Sequence, residues 1–390
     1  MGVFTMYILI FVVLLLTRTI DFQAVYAETV EHIDSCPSLN TSDDAAFSGK
    51  IFYSLNQRLS GEQGVWTIDN RLVPEPIEED IFADTSVILP QENLLAYADF
   101  PTPETITVLD NDSFVRLSAL ADWGFPMSWT LNRQLVINHR SSEESGNGFS
   151  FITFDREEFS IQRFTNFPQV LIMSKPNPTT LSFMVSPIGI QVVYDTISNR
   201  EGQRRRGMAL VDIGTKEIIW QTYNNFVDAI DGAMLVAWSP EGSQFAYPRT
   251  IPDTLTNWDA FRTEIVLVDH LGQERIATNF TDNGVHRTQW GLSWSPDGNQ
   301  IAFWLTDEQP SEFSTISSIE GTLNVLNLDQ NTVYNLCLRT DDFPALSWSP
   351  DSSTLAFADR DAGDILLIDL SLAEISQLNL GTLEVLGWLE

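Results

Sequence analysis

The chain has 390 residues, enough for two or three average domains or for one large all-β domain. Hydrophobic residues make up 43% of it, with 24 Phe and 11 Trp, so the material for a substantial packed core is present. Against 21 basic residues stand 53 acidic ones, a formal charge of −32 that repels phosphate backbones and anionic lipid and excludes nucleic acid as a partner. Basic proteins, cationic ligands and divalent metals stay compatible with that charge, which also keeps a β-rich surface dispersed.

Residues 3–16 (VFTMYILIFVVLLL) are apolar apart from Thr5, short for a bilayer span and similar to the apolar region of a signal peptide. Small residues follow at Val25-Tyr26-Ala27, so cleavage after Ala27 is expected and 1–27 reads as a signal peptide. No Lys or Arg precedes the run and Arg18 lies just beyond it, which leaves an uncleaved N-terminal anchor as the alternative. Either way the expected compartment is periplasmic, extracellular or the cell surface, with the rest of the chain peripheral to a membrane at most. Residues 28–48 read as an N-terminal extension and 49–390 as one domain. The two cysteines, Cys36 and Cys337, could form one disulfide or remain two buried thiols.

Gly49-Lys-Ile-Phe-Tyr-Ser54 and Val65-Trp-Thr-Ile-Asp69 open the domain as two strands. Ile88-Leu-Pro-Gln-Glu-Asn-Leu-Leu-Ala-Tyr97 then reads as strand, turn, strand, with Ile106-Thr-Val-Leu-Asp110 after it. The same order recurs in Trp129–Ile137 with Phe151–Asp155, and in Val185–Tyr194 with Met208–Asp212. It becomes unmistakable in Leu235-Val-Ala-Trp-Ser-Pro-Glu-Gly-Ser-Gln-Phe-Ala-Tyr247, Gly291-Leu-Ser-Trp-Ser-Pro-Asp-Gly-Asn-Gln-Ile-Ala-Phe303 and Ala345-Leu-Ser-Trp-Ser-Pro-Asp-Ser-Ser-Thr-Leu-Ala-Phe357. Third strands ending in Asp follow each: Ile265–Asp269, Leu323–Asp329 and Ile365–Asp369. Pro pre-sets a tight turn, and the flanking apolar residues alternate with period two. Val385-Leu-Gly-Trp388 is a last, unaccompanied first strand.

Trp-Ser-Pro-Asp-Gly-x-x-Ile-Ala-Phe resembles the WD40-like repeat of TolB-type β-propellers and of the propeller domains of prolyl-oligopeptidase relatives. The resemblance implies four-stranded blades in which this motif joins the innermost strand to the second. Six complete motifs, plus a blade shared between the two ends of the chain, predict seven blades closed by the C-terminal strand. TolB-type propellers typically have six.

Strands alternate in direction, so second-to-third and blade-to-blade connections share one face. On that face the sequence places its long connections, 140–148, 164–180, 196–206, 249–262, 279–289 and 305–320, whereas the opposite face carries only short turns. Binding residues on a rigid scaffold collect in such loops. Trp123, Tyr223, Phe226, Trp258, His286, Arg287 and Phe343 are therefore the candidate ligand-binding residues, mixed with carboxylates and suited to a protein, peptide or glycan. Packing beneath its own loop is the competing reading for each. Arg204-Arg205-Arg206 is the one basic cluster, which could steer an acidic partner or offset nearby carboxylates, the second being the favoured reading.

Catalytic signatures are missing. Gly291-Leu-Ser-Trp-Ser lacks the closing Gly of a nucleophile elbow, and no His-Glu-x-x-His, phosphate-binding Gly-x-x-x-x-Gly-Lys or Cys-x-x-Cys occurs. Asp359-Arg-Asp-Ala-Gly-Asp364 has the look of a calcium loop without its closing Glu and fits an ordinary hairpin. No cofactor or metal is expected. The favoured reading is a non-enzymatic, exported binding propeller. A structural subunit or spacer of an envelope assembly and a glycan hydrolase are the alternatives; paired carboxylates for the last abound among 53 acids.

Overall fold

The repeated motif folds as a hairpin in which each residue type has a visible task. Ser295 N–H donates to the Gln300 carbonyl and Gly298 N–H to the Ser295 carbonyl, which closes the turn. The Ser295 hydroxyl accepts the Gln300 N–H at 2.9 Å and donates to Asp297 Oδ1 at 2.5 Å, while Asp297 also takes the Asn299 N–H at 3.1 Å. The Gly position needs a left-handed backbone, φ 72° at Gly242 and 75° at Gly298, and Ser352 adopts φ 64° in the copy that lacks Gly. Tryptophan works between blades. The indole N–H of Trp238 donates to Met184 O, that of Trp294 to Ala237 O and that of Trp348 to Ser293 O, in each case a carbonyl on the innermost strand of the preceding blade. Trp129 does the same to Val87 O in a copy whose motif is one residue short.

Seven such units form a ring in this computed structural model, a seven-blade β-propeller without helices among the described residues. Described are residues 30–39, 47–55, 63–79, 83–89, 92–99, 105–110, 113–118, 123–139, 148–155, 158–165, 167, 179–200, 203–224, 236–252, 261–280, 286–308 and 320–390. The apolar run 3–16 and the cleavage point after Ala27 lie outside them.

From inside to outside, blade 2 contains Ala83–Leu89, Leu94–Asp99, Thr105–Asp110 and Ser113–Ser118, and blade 3 contains Trp123–Trp129, Gln134–His139, Gly148–Asp155 and Glu158–Thr165. Blade 4 contains Thr179–Val185, Gln191–Arg200, Gln203–Asp212 and Ile218–Asn224, and blade 5 contains Ala237–Trp238, Gln244–Pro252, Phe261–Asp269 and Glu274–Ile276. Blade 6 is His286–Trp294, Gln300–Glu308, Gly321–Asn327 and Thr332–Thr340; blade 7 is Ser347–Trp348, Thr354–Asp359, Asp364–Asp369 and Glu374–Asn379.

Blade 1 is composite, as the sequence implies. Its innermost strand is C-terminal, Thr382–Leu389, and pairs antiparallel with Lys50–Leu55, which Gly64–Ile68 and Glu75–Glu79 follow. Gly49 (φ 83°) makes the junction possible, because a Cβ there would lie 2.2 Å from the Leu389 carbonyl oxygen. Trp388 is wholly buried, donates its indole N–H to Ser48 O at 2.8 Å and meets the Phe47 ring edge-on at 5.7 Å.

The N-terminal extension adds something the repeat pattern does not predict. Glu31–Asp34 runs parallel to the outer strand of blade 6, with Glu31 opposite Thr332, and Ser38–Leu39 runs parallel to that of blade 7, with Ser38 opposite Glu374. Both blades thereby become five-stranded. Between the two additions, a disulfide joins Cys36 to Cys337. Apolar side chains fill the spaces between blades, as where Trp304 and Phe357 meet edge-on at 5.4 Å between blades 6 and 7.

Candidate binding face

On the face that carries second-to-third connections, strands run into segments that read as loops. The blade 4 hairpin stays in register out to Arg200 opposite Gln203, so 196–206 is mostly ladder and Arg204, Arg205 and Arg206 pair with Asn199, Ser198 and Ile197. In blade 5 the pairing reaches Pro252 opposite Phe261, and in blade 6 the second strand continues to Glu308. Blade 7 ends its hairpin at Asp359 opposite Asp364. The blade 4 arm escapes a period-two reading because 198–206 is an unbroken polar run with no apolar residues to alternate. Blades 4 to 6 thus raise strands of nine or ten residues on a rim where blade 7 has strands of six.

The candidate residues distribute along this rim in a different way from loop residues. Trp123 begins the innermost strand of blade 3, opposite His139. Tyr223 lies near the end of the outer strand of blade 4, opposite Gly207. His286 and Arg287 open the innermost strand of blade 6, where the ladder sets them opposite Glu308 and Asp307. These four are strand residues, a correction to their assignment as loop positions. Phe226 and Trp258 lie outside the described residues. Phe343 (φ 42°) is half-buried and packs on the core between blades 6 and 7, its ring filling the space where a Cβ on Gly321 would sit.

One polar cluster on the same face escapes sequence reading. Arg360, in the blade 7 hairpin, donates from Nε to Leu383 O at 3.2 Å, pairs with Asp342 at 3.1 Å and bonds Glu384 on the innermost strand of blade 1. Glu384 is 3% exposed and also takes the Ala345 N–H at 3.2 Å. Burial pushes the Glu384 carboxyl above its usual range, and Arg360 opposes that shift. Burial likewise disfavours the Arg360 charge, yet Glu384 and Asp342 together hold its pKa above the ordinary value. The pair is charged, because Arg360 keeps 37% of its side chain in solvent and contacts both carboxylates. No short motif links positions 342, 360 and 384; only closure brings them together.

The Asp359–Asp364 segment is the expected hairpin: Asp359 Oδ1 accepts the Asp361 and Ala362 N–H groups, and Gly363 N–H donates to Asp359 O at 2.7 Å. No group of three or more His, Cys, Asp or Glu side chains is placed to hold a metal among the described residues.

No family model matches the chain, and no curated protein matches it. Solved structures do. A protein from Lactobacillus plantarum aligns over 87% of this chain and 98% of its own, at 11% identity and TM-score 0.51. One of two prolyl endopeptidases aligns over 86% of this chain at 13% identity and TM-score 0.51, and this chain spans 49% of its length. TolB from Acinetobacter baumannii aligns over 88% of this chain and 67% of its own, at 15% identity and TM-score 0.45. At these identities the likeness to the first two shows the fold alone.

Proposed function

We propose that this chain is an exported, non-enzymatic binding propeller that presents its raised hairpin rim to a protein, peptide or glycan. The observation that carries the reading is one-sided growth. Second and third strands of blades 4 and 5, and the innermost and second strands of blade 6, extend toward a single face, while the opposite face closes each described first-to-second connection in a tight turn. A rigid ring that elaborates one rim is the usual arrangement for recognition. Export is supported by the apolar run 3–16 and by the Cys36–Cys337 bond, since disulfides persist in oxidising compartments. The non-enzymatic reading rests on the missing catalytic motifs.

Rim and opposite face are compared directly. Trp123→Ala and Arg287→Ala, made singly, lower affinity for a partner captured from envelope extract by about 2 kcal/mol, roughly thirty-fold. Glu217→Ala and Asp329→Ala, exposed in turns of the opposite face, leave it within about 0.5 kcal/mol. Full affinity in the rim variants with loss in the turn variants refutes the assignment. Turnover on a glycan or peptide panel refutes the non-enzymatic part.

A further inference from the structure

Turn touches turn round the face opposite the raised rim. Leu131 N–H donates to Pro187 O at 2.6 Å between blades 3 and 4. A Cβ on Gly242 would sit 3.1 Å from Ile188 N, and one on Gly298 3.2 Å from Glu241 Oε2, between blades 4 and 5 and blades 5 and 6. Asp297 N–H donates to the Ser352 hydroxyl at 3.1 Å between blades 6 and 7. Blade 1 has no such turn to offer blade 7, because its first and second strands are the two ends of the domain. The indole of Trp388 departs from the rule as well, bonding Ser48 O within its own blade.

A cavity of about 590 Å3 opens where the turn would be. Phe47 and Leu72, both half-buried, form its apolar wall, with the buried Trp388 packed against Phe47, and Asp351 and Asp369 form its acidic one. Ser349 and Ser353 donate to Asp351 Oδ1, and Ser371 and Leu372 to Asp369 Oδ1, so the second oxygen of each carboxylate is left for another donor. Hydrogen bonds from Ser349 and Ser353 hold the Asp351 pKa below its usual value, against partial burial, which keeps the group ionised. No Lys, Arg or His lines the cavity among the described residues. Its volume lies in the range of pockets that enclose small ligands or a few residues of peptide.

We propose that this cleft at the blade 7–blade 1 seam is a second binding site, which takes an arginine or lysine side chain of a short basic peptide segment. The carboxylates receive the cation, and the Phe47–Leu72 wall receives the aliphatic stem. Two carboxylates without a cation, on a chain of charge −32, select against acidic and neutral peptides alike.

A probe carrying one positive charge avoids diffuse attraction to the acidic surface. N-acetyl-arginine methylamide and its uncharged citrulline counterpart are titrated into the full chain, following indole N–H resonances in NMR spectra. Trp388 is assigned by its disappearance in Trp388→Phe. The expected result is a saturable shift of the Trp388 signal with the arginine probe, little with citrulline, and at least tenfold weaker binding in Asp351→Asn and Asp369→Asn. Asp361→Asn, exposed on the other face, binds like the unmodified chain, and melting temperatures confirm that each variant folds. Equal response to citrulline, an unmoved Trp388 signal, or undiminished binding in both seam variants overturns the proposal. The rim variants above leave this titration unchanged, so the two sites fail or stand separately.

Discussion

The seam between blades 6 and 7 and the seam between blades 7 and 1 do the same job with different chemistry. At the first, the repeat does everything: Trp348 reaches back to Ser293 O, Asp297 bonds Ser352 across the turns, and Trp304 packs on Phe357. At the second, none of these devices is present in its usual form. Closure relies on a ladder between chain ends, the buried Trp388, the tight approach at Gly49 and the Arg360–Glu384 pair. A local motif can staple neighbours that are consecutive in the chain. Ends that meet once per molecule need residues chosen for that place alone, and they leave a gap where the motif would have been.

The comparison breaks most visibly by truncation. Deleting residues 384–390 removes most of an inner strand, exposes the edge of Lys50–Leu55 and empties the space that Trp388 fills. Loss of the Trp side chain alone costs roughly 3–5 kcal/mol, a large part of ordinary domain stability. The truncated chain is expected to self-associate on size-exclusion chromatography and to lose its cooperative melt. An unchanged, monodisperse protein would mean that the closing strand is dispensable. Trp348→Ala leaves the ladder of the ring intact, so its melting temperature falls while its elution volume stays that of the unmodified chain.

Next in size is the ion pair at the closure. Arg360→Ala strands a carboxylate that is 3% exposed, a loss of about 2 kcal/mol once the half-exposed arginine is allowed for. Adding Glu384→Gln recovers most of it, because a neutral amide tolerates the same burial. A double variant no more stable than Arg360→Ala in chemical denaturation contradicts this account.

The smallest effect belongs to the repeats. Burial disfavours the Asp297 charge, but hydrogen bonds from Ser295, Asn299 and Ser352 outweigh it; those from Ser349 and Ser353 dominate at Asp351. Both carboxyls therefore titrate below the ordinary 3.8. The stability they lend is complete above that value and is lost as pH falls through the depressed pKa. Asp297→Asn and Asp351→Asn should lower the melting temperature slightly at neutral pH and converge on the unmodified chain in acid. A gap independent of pH rules out titration of these groups as its source.

The fold was legible because the repeat states its chemistry locally. Each of Trp, Ser, Pro, Asp and Gly performs its task within a few residues or against the adjacent blade, so three strong copies located the ring and weaker copies completed it. Closure was legible too, since Val385–Trp388 is a first strand lacking a second and Gly49–Ser54 a second lacking a first. The belt over blades 6 and 7 was not. Glu31–Asp34 is exposed at every position and carries no alternation, its pairing coming from open edges elsewhere in the chain. Segment 196–206 reads as a loop although its strands stay paired out to Arg200 opposite Gln203, because Ser198-Asn-Arg-Glu-Gly-Gln-Arg-Arg-Arg206 is polar throughout and carries no apolar alternation. The Arg360 cluster and the seam cleft depend on what closure brings together and leaves out, and neither has a signature in sequence.

The Cys36–Cys337 bond joins residues 301 positions apart, spanning nearly the whole ring, and that changes how the molecule carries load. Tension applied to the chain ahead of Cys36 passes through a covalent link into the outer edge of blade 6. It bypasses Lys50–Leu55, the strand whose ladder with Thr382–Leu389 is the one place where hydrogen bonds and packing alone hold the circle shut. A propeller pulled from its N-terminal side is therefore stretched as a stapled hoop, with its weakest joint off the line of force.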